Sequence, residues 1–240
     1  MILPSCFNKK TKAANSAKVA RLSGNETVKR YILLILGLFF AGVGVAFTKK
    51  GELGVSPVSS AANVMSCKYD FLSLGGWLII WNCILIVGQI IILRKNFKLI
   101  QLLQIPLSFL FGYFTDFGAW CISSIDANTY PIRLAFVIAG VIILGFGISL
   151  SVIANEIMNS GEAFVKAVSD SVNKDFGNVK ILFDLCSVAL AAVLSLILFD
   201  FKLVGIREGT VISAFCTGFV VKLFNKYLTV PLNSLLCGKH

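Results

Sequence analysis

Six long apolar runs, separated by short polar or glycine- and proline-marked stretches, set the pattern of this chain. They cover 31–47, 71–93, 99–122, 134–154, 181–199 and 209–226. Each reads as a membrane-crossing helix, because about 20 residues rising ~1.5 Å apiece cover a ~30 Å hydrocarbon core. The runs are continuously apolar rather than alternating, which argues against a transmembrane β-barrel. Two further stretches are apolar yet too short to cross. The first, Gly51 to Cys67, reads GELGVSPVSSAANVMSC. Ser56 is placed as an N-cap and Pro57 as a first-turn residue, which predicts a helix over 57–67. The second is expected over 161–172, with Ser160 as cap and Glu162 in the first turn, where an acid favours the helix dipole.

The fold this predicts is all-α and polytopic: six transmembrane helices as two inverted three-helix repeats, each carrying a short re-entrant or interfacial half-helix. The repeat rests on matches in order. Gly37, Gly42 and Gly44 recur as Gly140, Gly145 and Gly147; Asp70-Phe71 as Asp175-Phe176; 96–100 as 200–204; Phe109 and Gly112 as Phe215 and Gly218. Three crossings per half is an odd number, so the second half must sit upside down. The first repeat is assigned to 31–122 and the second to 132–228, flanked by a basic tail over 1–30 and a C-terminal tail over 229–240.

Composition supports the class. Hydrophobic residues make up 57% and charged residues 14% of 240, where a soluble domain carries about a quarter charged. The net charge of +10 is concentrated in residues 1–30, which hold seven Lys/Arg against Glu26 alone. That is a cytoplasmic tail under the positive-inside rule, and sixteen Lys/Arg then fall on the inner side against six outside. Both termini are therefore expected in the cytoplasm, in the inner membrane of a cell. No basic stripe with interleaved aromatics lies outside the tail, so no nucleic-acid partner is expected. Seven scattered cysteines without a CxxC, and one terminal histidine, His240, leave no expected disulfide framework, metal site or cofactor. No cleavable signal is expected ahead of the first run.

LGVSPVSS (53–60), FKLIQLLQIPLSFLFGYFTDF (97–117), GEAFVKAVS (161–169), FGNVKILFD (176–184) and GIREGT (205–210) resemble bacterial YczE/YyaS/YitT-type membrane proteins, the YczE-like group above all. The resemblance spans about 30–226 and implies an integral cytoplasmic-membrane protein, with no catalytic residue to carry over. Where many relatives have Trp-Asp after the proline, this chain has Val58-Ser59, and Ala163 stands in place of a second-half glycine.

Polar groups inside apolar runs are the candidates for a solute path, since each is costly there. Asp184 with Lys180 at i−4 reads either as a proton or cation site or as a local ion pair. Asp116 reads as a vestibule acid or as a helix-end marker. Gln101, Gln104 and Ser108 share one helix face, and Asn82 and Gln89 another; both sets read as path or as interhelical glue. Ser56, Pro57, Ser59, Gly161 and Glu162 mark the half-helix starts, whose free N–H groups attract an anion, whereas Asn155 and Glu156 nearby favour a cation. Glu162 and Lys166 stand at i,i+4. With no nucleophile–base pair or nucleotide loop, no enzyme is expected. The expected function is a small-solute or ion permease with its site at the repeat interface, in a bilayer and as a possible homodimer. The alternative is a non-transporting protein that recruits or regulates partners.

Overall fold

The computed structural model describes residues 24–174 and 176–236. Among them the chain forms eight α-helices and no strand: α1 (Gly24–Lys50), α2 (Pro57–Lys68), α3 (Leu74–Leu93), α4 (Gln104–Cys121), α5 (Tyr130–Ala154), α6 (Ser160–Val172), α7 (Phe176–Leu198) and α8 (Glu208–Leu236). Short 3-10 turns at Arg94–Asn96 and Leu99–Leu103 join α3 to α4. Five helices, α1, α3, α5, α7 and α8, are long and apolar enough to cross a membrane. The run expected over 99–122 divides into a 3-10 turn and the 18-residue α4, which carries Gln104, Tyr113, Thr115 and Asp116 and is not among the five.

Helix ends move where polar residues serve the helix. α1 begins at Gly24 rather than Tyr31 because Arg30 pairs with Glu26 at i−4 (3.0 Å), which stabilises a polar first turn. The expected tail is thus helical from residue 24; residues 1–23 lie outside the described part. α3 starts at Leu74 because Ser73 caps it, its Oγ accepting from the Gly76 N–H at 3.0 Å. α5 starts at Tyr130 with Pro131 in its first turn, and α7 at Phe176. α8 runs on to Leu236 through Pro231, so residues 229–236 are helix and not tail.

The packing centres on α1 and α5, which lie side by side along most of their length. Glycines permit that approach. A methyl group built on Gly37 would lie 2.8 Å from the Gly147 carbonyl oxygen, and one on Gly147 would lie 2.6 Å from that of Gly37. Further along, Gly44 and Gly140 face each other in the same way, at 2.8 Å in both directions. The pairings 37 with 147 and 44 with 140 make the two helices antiparallel. α4 packs on α1 where Gly42 meets Phe114 and Thr115; α8 packs on α5 where Gly145 meets Val220 and Val221. The short helices cross over: α2 lies on α7 and α6 lies on α3, while α2 also touches α3 and α6 touches α7. Leu38, Ala41, Val45, Ala62, Leu78, Phe111 and Leu144 form one buried cluster at the centre.

One contact has no counterpart. α3 packs closely on α4, with Gly112 against the Gly75 carbonyl and the Ile79 side chain. α7 and α8 do not pack along each other. A methyl group on Gly218 of α8 would meet nothing within 4 Å, and Ile181 of α7 is 63% exposed.

Candidate functional site: the short-helix junction and the cleft beside it

Both short helices arise from the same local sequence logic. The chain leaves α1 through Glu52 in the left-handed region (φ 53°) and leaves α5 through Asn155 (φ 52°), reversing direction in both places. α2 then starts with Pro57 after Ser56, whose hydroxyl makes no cap bond and instead donates to Ser59 Oγ at 3.1 Å. α6 starts with Ser160, but its cap is Asn159, whose side-chain oxygen accepts from the Ser160 N–H at 2.9 Å. The cap expected at Ser160 is therefore one residue earlier, because the longer amide reaches the first N–H and frees the Ser160 hydroxyl. The two starts come together: a methyl group on Gly161 would lie 3.1 Å from Val58 Cγ1. Ser59, Pro57 and Gly161 are buried there, with Ser56 and Glu162 half-buried.

The start of α6 is held by a polar knot in apolar surroundings. Gln89 and Gln104 exchange amide hydrogen bonds at 3.0 and 3.2 Å, and Gln89 also donates to the Ser160 carbonyl at 3.2 Å. Ser108 lies 3.1 Å from the Ser160 hydroxyl. All four are buried. Only a gap of about 10 Å³ remains beside them, bounded by Leu34, Leu38 and Ser151, roughly the room one water needs. Gln104 and Ser108 thus share a face as their spacing implied. Gln101 does not join them; its side chain accepts from the Lys98 N–H. Asn82, two turns from Gln89, is buried with its amide nitrogen unpartnered.

On the α2 side the protein is open. A cleft of about 670 Å³ is lined by Lys49, Lys50, Asn63, Asp126, Arg133 and Arg207, among others. Lys49 donates to Ser66 at 2.6 Å and Lys50 to the Ser123 carbonyl at 3.1 Å. Neither has a carboxylate within 4.0 Å among the described residues, whereas Arg133 pairs with Glu52 at 3.1 Å and Arg207 with Glu208 at 3.5 Å. Asn63, 4% exposed, donates to the Gly205 carbonyl at 2.9 Å while its buried oxygen has no partner. At the other end of the molecule the counterpart charges are largely covered. Arg30 is 7% exposed, donates to the Ala154 carbonyl at 3.1 Å and stands 4.0 Å from Glu156. Burial raises the Glu156 pKa above the ordinary carboxylate range; Arg30 pulls it back and Glu26 pushes it further up.

The other charged candidates are separate from the junction or occupied. Asp116 caps α3 from across the helix pair: one oxygen accepts from the Gly75 N–H at 2.9 Å and the other from the Ser73 hydroxyl at 2.5 Å. Lys180 and Asp184 pair at 2.6 Å on α7, each about a quarter exposed, with Lys180 also over the Phe183 ring. Several groups of interest escaped the sequence. Asn63 had no signal beyond being a lone amide among small residues. Thr210, Ser213 and Thr217 carry buried, unpartnered hydroxyls on one face of α8, at a spacing of three and four that was readable. The pairs Arg30–Glu156 and Arg133–Glu52 become visible once the halves are aligned.

Together these features define an all-helical protein whose apolar helices suggest several membrane crossings. Residues 28–226 match the model of a family of unknown function, DUF6198, and the chain belongs to that family. The match carries no link to the YczE-type proteins that its motifs resemble. No curated protein and no solved structure matches the chain.

Proposed function

We propose that this chain is a small-solute permease of a cell membrane, built from two inverted repeats of three crossings each, with α4 and its 3-10 turn as the third crossing. The carrying observation is residue-by-residue reciprocity. Shifting every residue by the repeat distance turns the Gly37–Gly147 contact into the Gly140–Gly44 contact. It turns Gly42 against Phe114 and Thr115 into Gly145 against Val220 and Val221. It turns α2 on α7 into α6 on α3, and Arg133–Glu52 into Arg30–Glu156. A twofold relation between antiparallel halves demands such exchanges, and inverted repeats with short interrupted helices at their interface are the architecture of transport sites. The two helix starts meet at Val58 and Gly161, and the cleft takes Asn63 and Cys67 of the same short helix α2 into its wall. With the basic tail inside, that cleft faces outward. Its two lysines, with no carboxylate within 4.0 Å among the described residues, favour a small organic anion.

The test is osmotic swelling of liposomes containing the purified protein, with formate, acetate, glycerol and urea as probes. The reading expects at least one anion to enter faster than through protein-free liposomes, and expects that rate to survive deletion of residues 1–23. Flux lost with the tail would favour the recruitment reading instead.

A further inference from the structure

The cleft beside α2 carries an unmet acceptor as well as its free cations. Asn63 is 4% exposed and forms part of the cleft wall. The Gly205 carbonyl can only accept, so the Asn63 amide nitrogen is fixed toward it at 2.9 Å and the side-chain oxygen is turned from it. That oxygen has no donor. Buried polar atoms without a partner are rare, and each calls for a reason. The Lys49 ammonium is tied to the same turn of α2. It donates to Ser66 Oγ at 2.6 Å, and the Ser66 hydroxyl donates to the Asn63 backbone carbonyl at 2.9 Å. Lys50 lines the same cleft. Donors for a carboxylate thus stand beside an acceptor that lacks a donor.

These groups belong to one half alone. In the register that matches Gly44 with Gly147 and Ser56 with Ser160, Lys49, Lys50 and Asn63 fall on Val152, Ile153 and Ala167. The repeated scaffold therefore does not require them, yet all three line one cavity. The arginines of the cleft are occupied, Arg133 by Glu52 and Arg207 by Glu208. Asp126 has no cation within 4.0 Å among the described residues, but it is exposed, and water satisfies it.

We infer that the occupant of this cleft is a small hydroxycarboxylate, its carboxylate held by Lys49 and Lys50 and its hydroxyl donating to the Asn63 side-chain oxygen. This deepens the permease reading and rests on it. Acetate and formate satisfy the lysines but leave the amide oxygen bare, because a carboxylate has no donor. Glycolate is acetate with one hydroxyl added, so the pair isolates the Asn63 contact. Glycine offers an ammonium instead, which the two lysines repel.

Equilibrium dialysis of radiolabelled glycolate against the full chain in detergent at neutral pH, with acetate, glycolate and glycine as competitors, tests this. Glycolate is expected to compete at least about tenfold better than acetate or glycine, the gain from satisfying one buried acceptor. Lys50→Met is expected to weaken glycolate and acetate alike and to keep their ratio, whereas Asn63→Leu brings that ratio to about one. Should Asn63→Leu not fold, the wild-type ratio decides alone. Three results overturn the assignment: glycolate shows no saturable binding, acetate or glycine competes as well as glycolate, or the ratio is unchanged in Asn63→Leu. Selective binding with no flux of any probe into liposomes leaves the site standing and removes the permease reading. Flux of acetate and glycolate at equal rates, with equal binding, does the reverse.

Discussion

A methyl group on Gly140 should loosen the α1–α5 pair, while one on Gly218 should cost nothing. The added carbon on Gly140 would sit 2.7 Å from the Thr48 amide nitrogen and 2.8 Å from the Gly44 carbonyl oxygen. Both neighbours are backbone, so no side chain can rotate away. Restoring ordinary contact requires the helices to part by roughly 0.6 Å, a gap that forfeits a quarter or more of each dispersion well along the seam. Overpacking of this kind costs about 1–3 kcal/mol, against up to ~1 kcal/mol returned by alanine's better helix propensity. The net loss is about 1–2 kcal/mol. Gly218→Ala meets open space, keeps the propensity gain and is stabilising by up to ~1 kcal/mol. Thermal unfolding in one detergent should therefore lower the midpoint for Gly140→Ala and leave it level or raise it for Gly218→Ala, at about 2–4 °C per kcal/mol for a chain of this size. Equal midpoints for the two variants, or a lower one for Gly218→Ala, would refute both the antiparallel seam and the open α8 face.

Three further outcomes follow from the polar groups. Asp116→Ala removes two acceptors from the start of α3 and should lower stability by about 1–3 kcal/mol, measured by the same unfolding midpoint. Gln104→Leu leaves the Gln89 side-chain oxygen without its donor and should cost about 1–3 kcal/mol, whereas Gln89→Leu with Gln104→Leu together should recover part of that loss; strict additivity in a double-mutant cycle would contradict the exchange of amide bonds. Because burial raises the Glu156 pKa in the folded protein, its favourable contribution is complete below the ordinary carboxylate pKa and is lost as pH rises through the raised value. Glu156→Gln should flatten that fall across mildly acidic pH, and an unchanged pH profile would count against it.

Apolar runs revealed the helices because burial or lipid is all a run of that length can tolerate, and the short helices stood out by proline and length. Boundaries were less legible. α1 draws its polar first turn from an Arg30–Glu26 pair, and α8 passes through Pro231, neither of which hydropathy records. Within one helix, spacing was informative: Lys180 and Asp184 do pair, and Gln104 and Ser108 do share a face. Between helices it was silent. Asp116 reads the same on paper whether it lines a path or caps α3, because Ser73 and Gly75 are brought to it only by the fold. The glycines matched between 37–44 and 140–147 were visible in the sequence, but that 37 faces 147 and 44 faces 140 came only from the fold.

The knot of Gln89, Gln104, Ser108 and Ser160 has an energetic consequence for any movement. Its counterpart positions in the second half are Val193, Thr210, Ala214 and Ser56, so most of those hydrogen bonds have no mirror image. At about 0.5–1.5 kcal/mol net per bond, the half that owns the amides is the harder one to pry apart. Any opening of the molecule should therefore begin on the side without the knot, where α2 meets α7, and reach the side of α3, α4 and α6 last.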